Sequence, residues 1–259
     1  MIIDTHTHLF DEAFNEDRAQ AVSRAVNAGV EKMILPATDS ASCLPMRDLC
    51  LNFNRNIFPA AGIHPEYACG NFKNAVDEIL KFDFSKPICA VGEIGLDYFY
   101  QTDNVDIQKQ MFEYQVNCAL DLDLPIIIHC RNAYDDIFKI LDKYKNNSRL
   151  RGVFHCFSSS ADNALKILSY KRFLFGLGGI VTFKNSGKEI CNIVKTVLKL
   201  QNIVLETDSP YIAPVPYRGR RNESSFITLT LYKLSELLDI SPLELSKITS
   251  DNACEMFNI

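Results

Sequence analysis

Pro125-Ile126-Ile127-Ile128-His129-Cys130-Arg131 reads as a short strand that ends on an imidazole. Three successive isoleucines behind a proline suit a strand buried on both faces, as in a parallel sheet. The same pattern recurs on either side. Gly152-Val153-Phe154 ends on His155, and Val91-Gly92 leads to Glu93. Gly62-Ile63 leads to His64, and Ile203-Val204-Leu205 leads through Glu206 and Thr207 to Asp208. The first apolar run passes into Asp4-Thr5-His6-Thr7-His8, so all five histidines lie in such places.

The spacing of these residues decides the fold class. His64 to Glu93 is 29 residues, Glu93 to His129 is 36, and His129 to His155 is 26. A strand-helix-strand unit takes roughly 30 residues, so each polar group falls one unit after the last. His8 to His64 (56) and His155 to Asp208 (53) each span about two units. Strands are expected near 2–7, 31–36, 57–63, 88–93, 125–129, 152–156, 173–180 and 202–206. Alternation with helical patterns predicts a parallel sheet covered by helices. About eight repeats predict a closed (β/α)8 TIM barrel, with its active site at the C-terminal ends of the strands. We read residues 1–259 as a single barrel domain. Ile107, Met111, Tyr114, Cys118 and Leu122 predict the core face of a helix over 106–122. Terminal helices are expected near 223–238 and 242–257, the latter with Ser241 as N-cap and Pro242 in the first turn.

Composition narrows the function classes. Hydrophobic residues make up 47%, enough for a large core, and the net charge of −5 excludes a generally basic nucleic-acid coat. No run approaches the roughly 18 apolar residues of a membrane span, and Met1-Ile2-Ile3 runs straight into Asp4 without a secretory leader. Nine cysteines without a Cys-x-x-Cys pair predict buried, reduced thiols and a cytoplasmic location.

Imidazoles and carboxylates gathered at strand ends point to bound metal, and metal held this way activates water. His6 and His8, two apart on a strand, point to one side, and Asp4 shares that face. An unpaired buried carboxylate is costly, so Glu93 needs cationic company, and bridging two metals satisfies it most economically. Asp208 follows a strand directly, although Asp also serves as a turn residue. Cys130 and Cys156 follow two of the histidines and alternate away from the interior, so we read them as packing. Arg131 at a strand end, and Arg218, Arg220 and Arg221 in a late loop, offer guanidinium forks that suit phosphate. Phe175-Gly176-Leu177-Gly178-Gly179 lacks a phosphate loop's Lys-Ser/Thr ending and reads as close packing.

Six motifs together resemble the TatD-like metal-dependent deoxyribonucleases, a branch of the amidohydrolase-type barrels. They are DTHTHL at 4–9, GIHP at 62–65, VGEIGLDY at 91–98, IIHCRNA at 127–133, GVFHCFS at 152–158 and ETDSPYIAPVPYRGRRNE at 206–223. They span nearly the whole chain in order. The resemblance implies that His6, His8, Glu93 and Asp208 hold one metal and that Glu93, His129 and His155 hold a second. It places His64 near a substrate phosphate. It also implies hydrolysis of DNA phosphodiesters, trimming from the 3′ end. Two departures, Cys130 where serine is frequent and Ser224-Ser225 in place of a proline-containing step, touch no ligand.

On this reading Glu93 and Asp208 are the catalytic carboxylates, with Asp208 positioning or deprotonating the attacking water. His64, Arg131, Arg220 and Glu206 are expected to contact substrate. The cofactors are two divalent ions: four histidines suit zinc or manganese, while the family is usually described as magnesium-dependent. The expected partner is DNA, as single strands or 3′ ends, acted on by a monomer. The alternative reaction on the same metals is hydrolysis of an amide or ester, including aminoacyl-tRNA deacylation. A third reading is a nucleic-acid-binding module with an inert site, against which the complete ligand set argues.

Overall fold

Eight short runs of β-branched and aliphatic residues become strands, and the computed structural model describes them within residues 1–99 and 103–259. They are β1 Ile2–Asp4, β2 Val30–Pro36, β3 Ile57–Ala60, β4 Val91–Asp97, β5 Ile126–Arg131, β6 Gly152–Phe154, β7 Phe173–Leu177 and β8 Ile203–Leu205. All are parallel to their neighbours, in the orders β1-β2-β3 and β4 to β8. Two seams close the ring. At one, Ala61 N–H donates to Ala90 O (3.1 Å) and Gly92 N–H to Ala61 O (2.9 Å), joining β3 to β4. At the other, Thr5 N–H donates to Leu205 O (3.0 Å) and His8 N–H to Ser209 O (2.7 Å), joining β8 to β1. The result is the (β/α)8 barrel that the repeat spacing predicts.

The outer layer comprises α1 Arg18–Asn27, α2 Cys43–Asn52, α3 Phe72–Lys81, α4 Val105–Leu122, α5 Tyr134–Asp142, α6 Ala161–Ser169, α7 Ser186–Thr196, α8 Ile227–Leu238 and α9 Pro242–Phe257. The main core lies between these helices and the strands. The lower interior of the barrel is a second apolar cluster of Ile3, Ile34, Ile127, Val153, Leu174 and Val204, closed from below by Ala253 and Phe257 of α9. Helix α9 starts as expected: the Ser241 hydroxyl accepts the Glu244 N–H at 3.1 Å, and Pro242 occupies the first turn. Among the described residues, no helix is long and apolar enough to cross a membrane.

Three expectations are corrected. Strand β4 runs to Asp97 rather than ending at Glu93, because Gly95, Leu96 and Asp97 pair with His129, Cys130 and Arg131 of β5. The run expected at 173–180 stops at Leu177, and a 3-10 turn over Gly179–Thr182 follows. The nine cysteines are unpaired, but only Cys43, Cys50 and Cys89 are fully buried and Cys69 is exposed.

Candidate metal centre

Each expected ligand leaves the upper end of a strand. His6 and His8 lie just beyond β1, where alternate backbone bonds to Leu205 and Ile34 keep the chain extended. Glu93 projects from β4 and His129 from β5, while His155 and Asp208 follow β6 and β8. Asp208 has φ +56, a left-handed conformation that aspartate tolerates, and its N–H donates to His6 O at 2.9 Å. The strand ends therefore aim six side chains at one point.

Glu93 divides this point in two. Its Oε2 lies 3.2 Å from His6 Nε2 and 3.6 Å from His8 Nε2. Asp208 Oδ1 stands 3.7 and 3.4 Å from the same two nitrogens, which are 3.1 Å apart. Glu93 Oε1 lies 2.8 Å from His155 Nε2 and 3.0 Å from His129 Nδ1, with 3.4 Å between those nitrogens. Donors bound at about 2.0–2.1 Å around one tetrahedral zinc-like ion stand about 3.3 Å apart. The spread of 3.1 to 3.7 Å in the first group fits such a cage of four donors. The second group comprises Glu93, His129 and His155, and His64 Nε2 stands 3.7 Å from the same Glu93 Oε1.

The electrostatics fit a cation as well. Burial opposes charge on His6, Glu93, His129, His155 and Asp208. For His6 burial prevails and lowers the ring to about 4. Burial also lowers His155, but the Glu93 carboxylate outweighs it and holds the ring up at about 10. Burial raises Glu93, yet the imidazoles around it leave it well below the ordinary carboxylate range. Glu93 thus draws a proton onto His155 while His6 stays unprotonated, and a divalent cation entering beside Glu93 would displace that proton.

Supporting residues fix the ligands. His129 Nε2 meets Asp97 Oδ2 at 2.9 Å, so Asp97 orients a ligand instead of touching substrate. Asp4 does not reach a ligand ring. Its Oδ2 accepts the Thr207 hydroxyl at 2.6 Å, and its Oδ1 accepts the backbone N–H of Thr207 and of His6. Burial raises Asp4 to about 7 against these bonds. Gly95, at φ +151, lets β4 pass β5, since a Cβ there would stand 1.8 Å from His129 O.

Two residues escaped the sequence reading. Gln108 and Gln115 lie two turns apart on the buried face of α4. Gln115 accepts the Ile63 N–H (2.7 Å) and donates to Ile63 O (3.1 Å), fixing the chain just before His64. Gln108 clasps the backbone of Asp97 in the same way, at 2.9 and 3.1 Å. The predicted stripe is correspondingly rotated: Met111 is buried, but Leu122 is 51% exposed. Identical residues seven apart on a helix were the available signal.

The expected substrate contacts separate into three kinds. His64 reaches the centre, with Nε2 at 3.7 Å from Glu93 Oε1, and its Nδ1 accepts the Glu66 N–H at 3.2 Å. Burial lowers its pKa to about 3, so the ring is neutral. Arg131 lies at the upper end of β5 with its guanidinium 3.8 Å above the Phe99 ring. Arg218 covers Phe183 at 4.0 Å, and Arg220 is exposed, whereas Arg221 is committed to Asp17 (2.6 Å) and to the ring of Phe14. Glu206 is a correction. It is fully buried behind His155, 3.8 Å from His155 Nδ1, and accepts the Cys156 N–H, so it cannot touch substrate. Burial raises it to about 8. Gly176 leaves its carboxylate room, since a Cβ there would stand 2.0 Å from Oε2.

With this geometry in hand, comparison with known proteins is direct. The sequence model of the family described as TatD related DNase matches residues 3–258. The chain is 33% identical to YabD of Bacillus subtilis, named an uncharacterized metal-dependent hydrolase, over the whole of both chains. It is 30% identical to YcfH of Escherichia coli, which carries the same description, covering 100% of this chain and 96% of that one. The crystal structure of YjjV, a TatD homologue from Escherichia coli, superposes with a TM-score of 0.90 at 28% identity, covering 100% and 98% of the two chains.

Proposed function

This chain belongs to the TatD-related DNase family of metal-dependent hydrolases, and from that premise we propose that it cleaves DNA phosphodiester bonds, removing nucleotides from the 3′ end of single strands. The observation that carries the proposal is the division of Glu93 between two donor groups, beside a neutral His64. His6, His8, Glu93 and Asp208 would hold one divalent cation, and Glu93, His129 and His155 a second. Bound there, such cations supply Lewis acidity and acidify a water toward neutral pH. The two imidazoles in the four-donor set favour zinc or manganese over magnesium there.

The chain's own groups complete the reaction. Asp208 receives the proton of the attacking water. His64 accepts a backbone N–H on Nδ1, so its neutral ring carries its proton on Nε2. That proton donates to a phosphate oxygen, and Glu66 N–H fixes the tautomer. Arg131, and Arg220 on its exposed loop, answer the remaining phosphate charge. The in-line product is a terminal 5′-phosphonucleotide and a new 3′-hydroxyl. A single barrel carries the whole ligand set, so we expect a monomer to be active.

The test uses a 5′-labelled single-stranded oligonucleotide and metal-stripped protein with Mg²⁺, Mn²⁺ or Zn²⁺ restored. A ladder shortening from the 3′ end, lost in Asp208→Asn, is expected. No cleavage by protein with its cations bound would overturn the nuclease reading in favour of amide or ester substrates, aminoacyl-tRNA included.

A further inference from the structure

The mouth of the barrel is chemically two-sided. On the side of β1, β3 and β8, two tyrosines stand out from the surface. Tyr67 ends the 3-10 turn Pro65–Tyr67 that follows His64 and is 47% exposed. Tyr211 follows Asp208 by three residues and is 55% exposed, with its ring 6.1 Å from that of His8. Its hydroxyl donates to Asp11 Oδ2 at 3.2 Å. Tyr67 thus leaves the chain just past His64 and Tyr211 just past Asp208, and Asp11 and Glu66 lie near enough to act on both phenols. On the side of β5 and β7 the rim carries cations: Arg131 over Phe99 and Arg218 over Phe183.

Phosphate is repelled by the first side and attracted by the second. Exposed aromatic faces beside carboxylates suit a flat, uncharged ring whose edge bears N–H donors, which describes a nucleobase. We propose that Tyr67 and Tyr211 form a stacking platform for the unpaired terminal base of the substrate, while its phosphate chain leaves past Arg131 and Arg218. The inference rests on the phosphodiesterase reading above and deepens it. It makes an unpaired end a requirement, because a base held in a duplex has no free face for the tyrosines.

Two oligonucleotides test it, identical except that one ends in a stable tetrahydrofuran abasic residue. The parent protein is expected to favour the base-bearing end by about tenfold in kcat/KM, the usual scale of one base–aromatic contact. That preference should fall to near unity in the Tyr67→Leu/Tyr211→Leu double variant and persist in Tyr211→Phe, which keeps the ring and loses the Asp11 bond. Equal cleavage of both oligonucleotides by the parent would overturn the platform and leave the nuclease reading standing. So would a preference retained by the double variant. Cleavage of neither would overturn both.

Discussion

The two ends of this barrel's interior share the same eight strands and have opposite chemistry. Below, Ile3, Ile34, Ile127, Val153, Leu174 and Val204 meet Ala253 and Phe257 of α9 in a wholly apolar plug. Above, farther along the same strands, lie Asp4, His6, His8, Glu93, Asp97, His155 and Glu206, all buried. The lower end is stable by itself, since each fully buried large aliphatic or aromatic side chain contributes about 1.5–3 kcal/mol. The upper end is not self-sufficient: among the described residues, the Nδ1 atoms of His6, His8 and His155 and the Oε2 of Glu206 have no hydrogen-bond partner. Unpaired buried polar groups of this kind cost about 1–3 kcal/mol each. The difference teaches that the plug and the closed strand ring hold in place a polar cluster that would not assemble unaided: His6, His8 and His155 face Glu93 through Nε2, so their Nδ1 atoms and the Glu206 oxygen are a cost the scaffold bears.

This contrast is sharpened by substitutions that separate activity from stability. The largest effect is expected at the upper end, where Glu93→Gln removes the bridging charge. Turnover should fall by about 10³-fold or more, on the scale of losing a main electrostatic element of a site. Its thermal midpoint should move by only a few degrees. The complementary change is Phe257→Ala in the plug. It should cost about 3 kcal/mol and lower the midpoint by roughly 10 °C, with kcat per folded molecule unchanged in calorimetry and assay run together. Equal losses of activity from both would erase the distinction between the ends.

Gln115→Leu tests a residue that belongs to neither end alone. It leaves the Ile63 N–H and C=O without their partner, so His64 loses its fixed approach. A loss in kcat/KM of about tenfold is expected, as for other outer supports of a metal site, with metal content by elemental analysis retained. The smallest effect belongs to the clasp that ties the late arginine loop to the first helix, in which Arg221 and Arg24 meet Asp17 and Glu223. The arginine hydrogen bonds hold Asp17 below the ordinary carboxylate range, and at Glu223 they outweigh the raising effect of burial. The folded state therefore keeps these groups ionised to lower pH than the unfolded chain does, which takes up its protons near pH 4. Their stabilisation is complete above that range and is lost as pH falls through the folded values. Because the groups are partly exposed, it amounts to about 1 kcal/mol or less. The stability gap between parent and Arg221→Met should be open at pH 7 and narrow steadily as pH falls below about 4 in urea titrations.

The clustered imidazoles and carboxylates were legible in the sequence because each stands at a fixed phase of a repeating unit. His64, His129 and His155 each declare a strand end by chemistry alone. The barrel followed from the same phase. What was hidden depends on neighbours distant in sequence. Gln108 and Gln115 drew no reading, since only the folded structure shows that they satisfy buried backbone groups near the site. Glu206 reads as a second acid beside Asp208, but the alternation of β8 sends it behind His155, into the space left by Gly176. Strand β4 outruns its apolar stretch because pairing with β5 carries it on to Asp97.

The claim on which the rest depends is that Glu93 joins two cation positions at the upper end. Manganese titration of metal-stripped protein, with bound metal counted per chain, tests it most directly. Two ions per parent chain are predicted, with the tighter one retained in His129→Ala and neither held firmly in Glu93→Gln. A single ion per parent chain, or two ions held equally well by Glu93→Gln, would contradict the account.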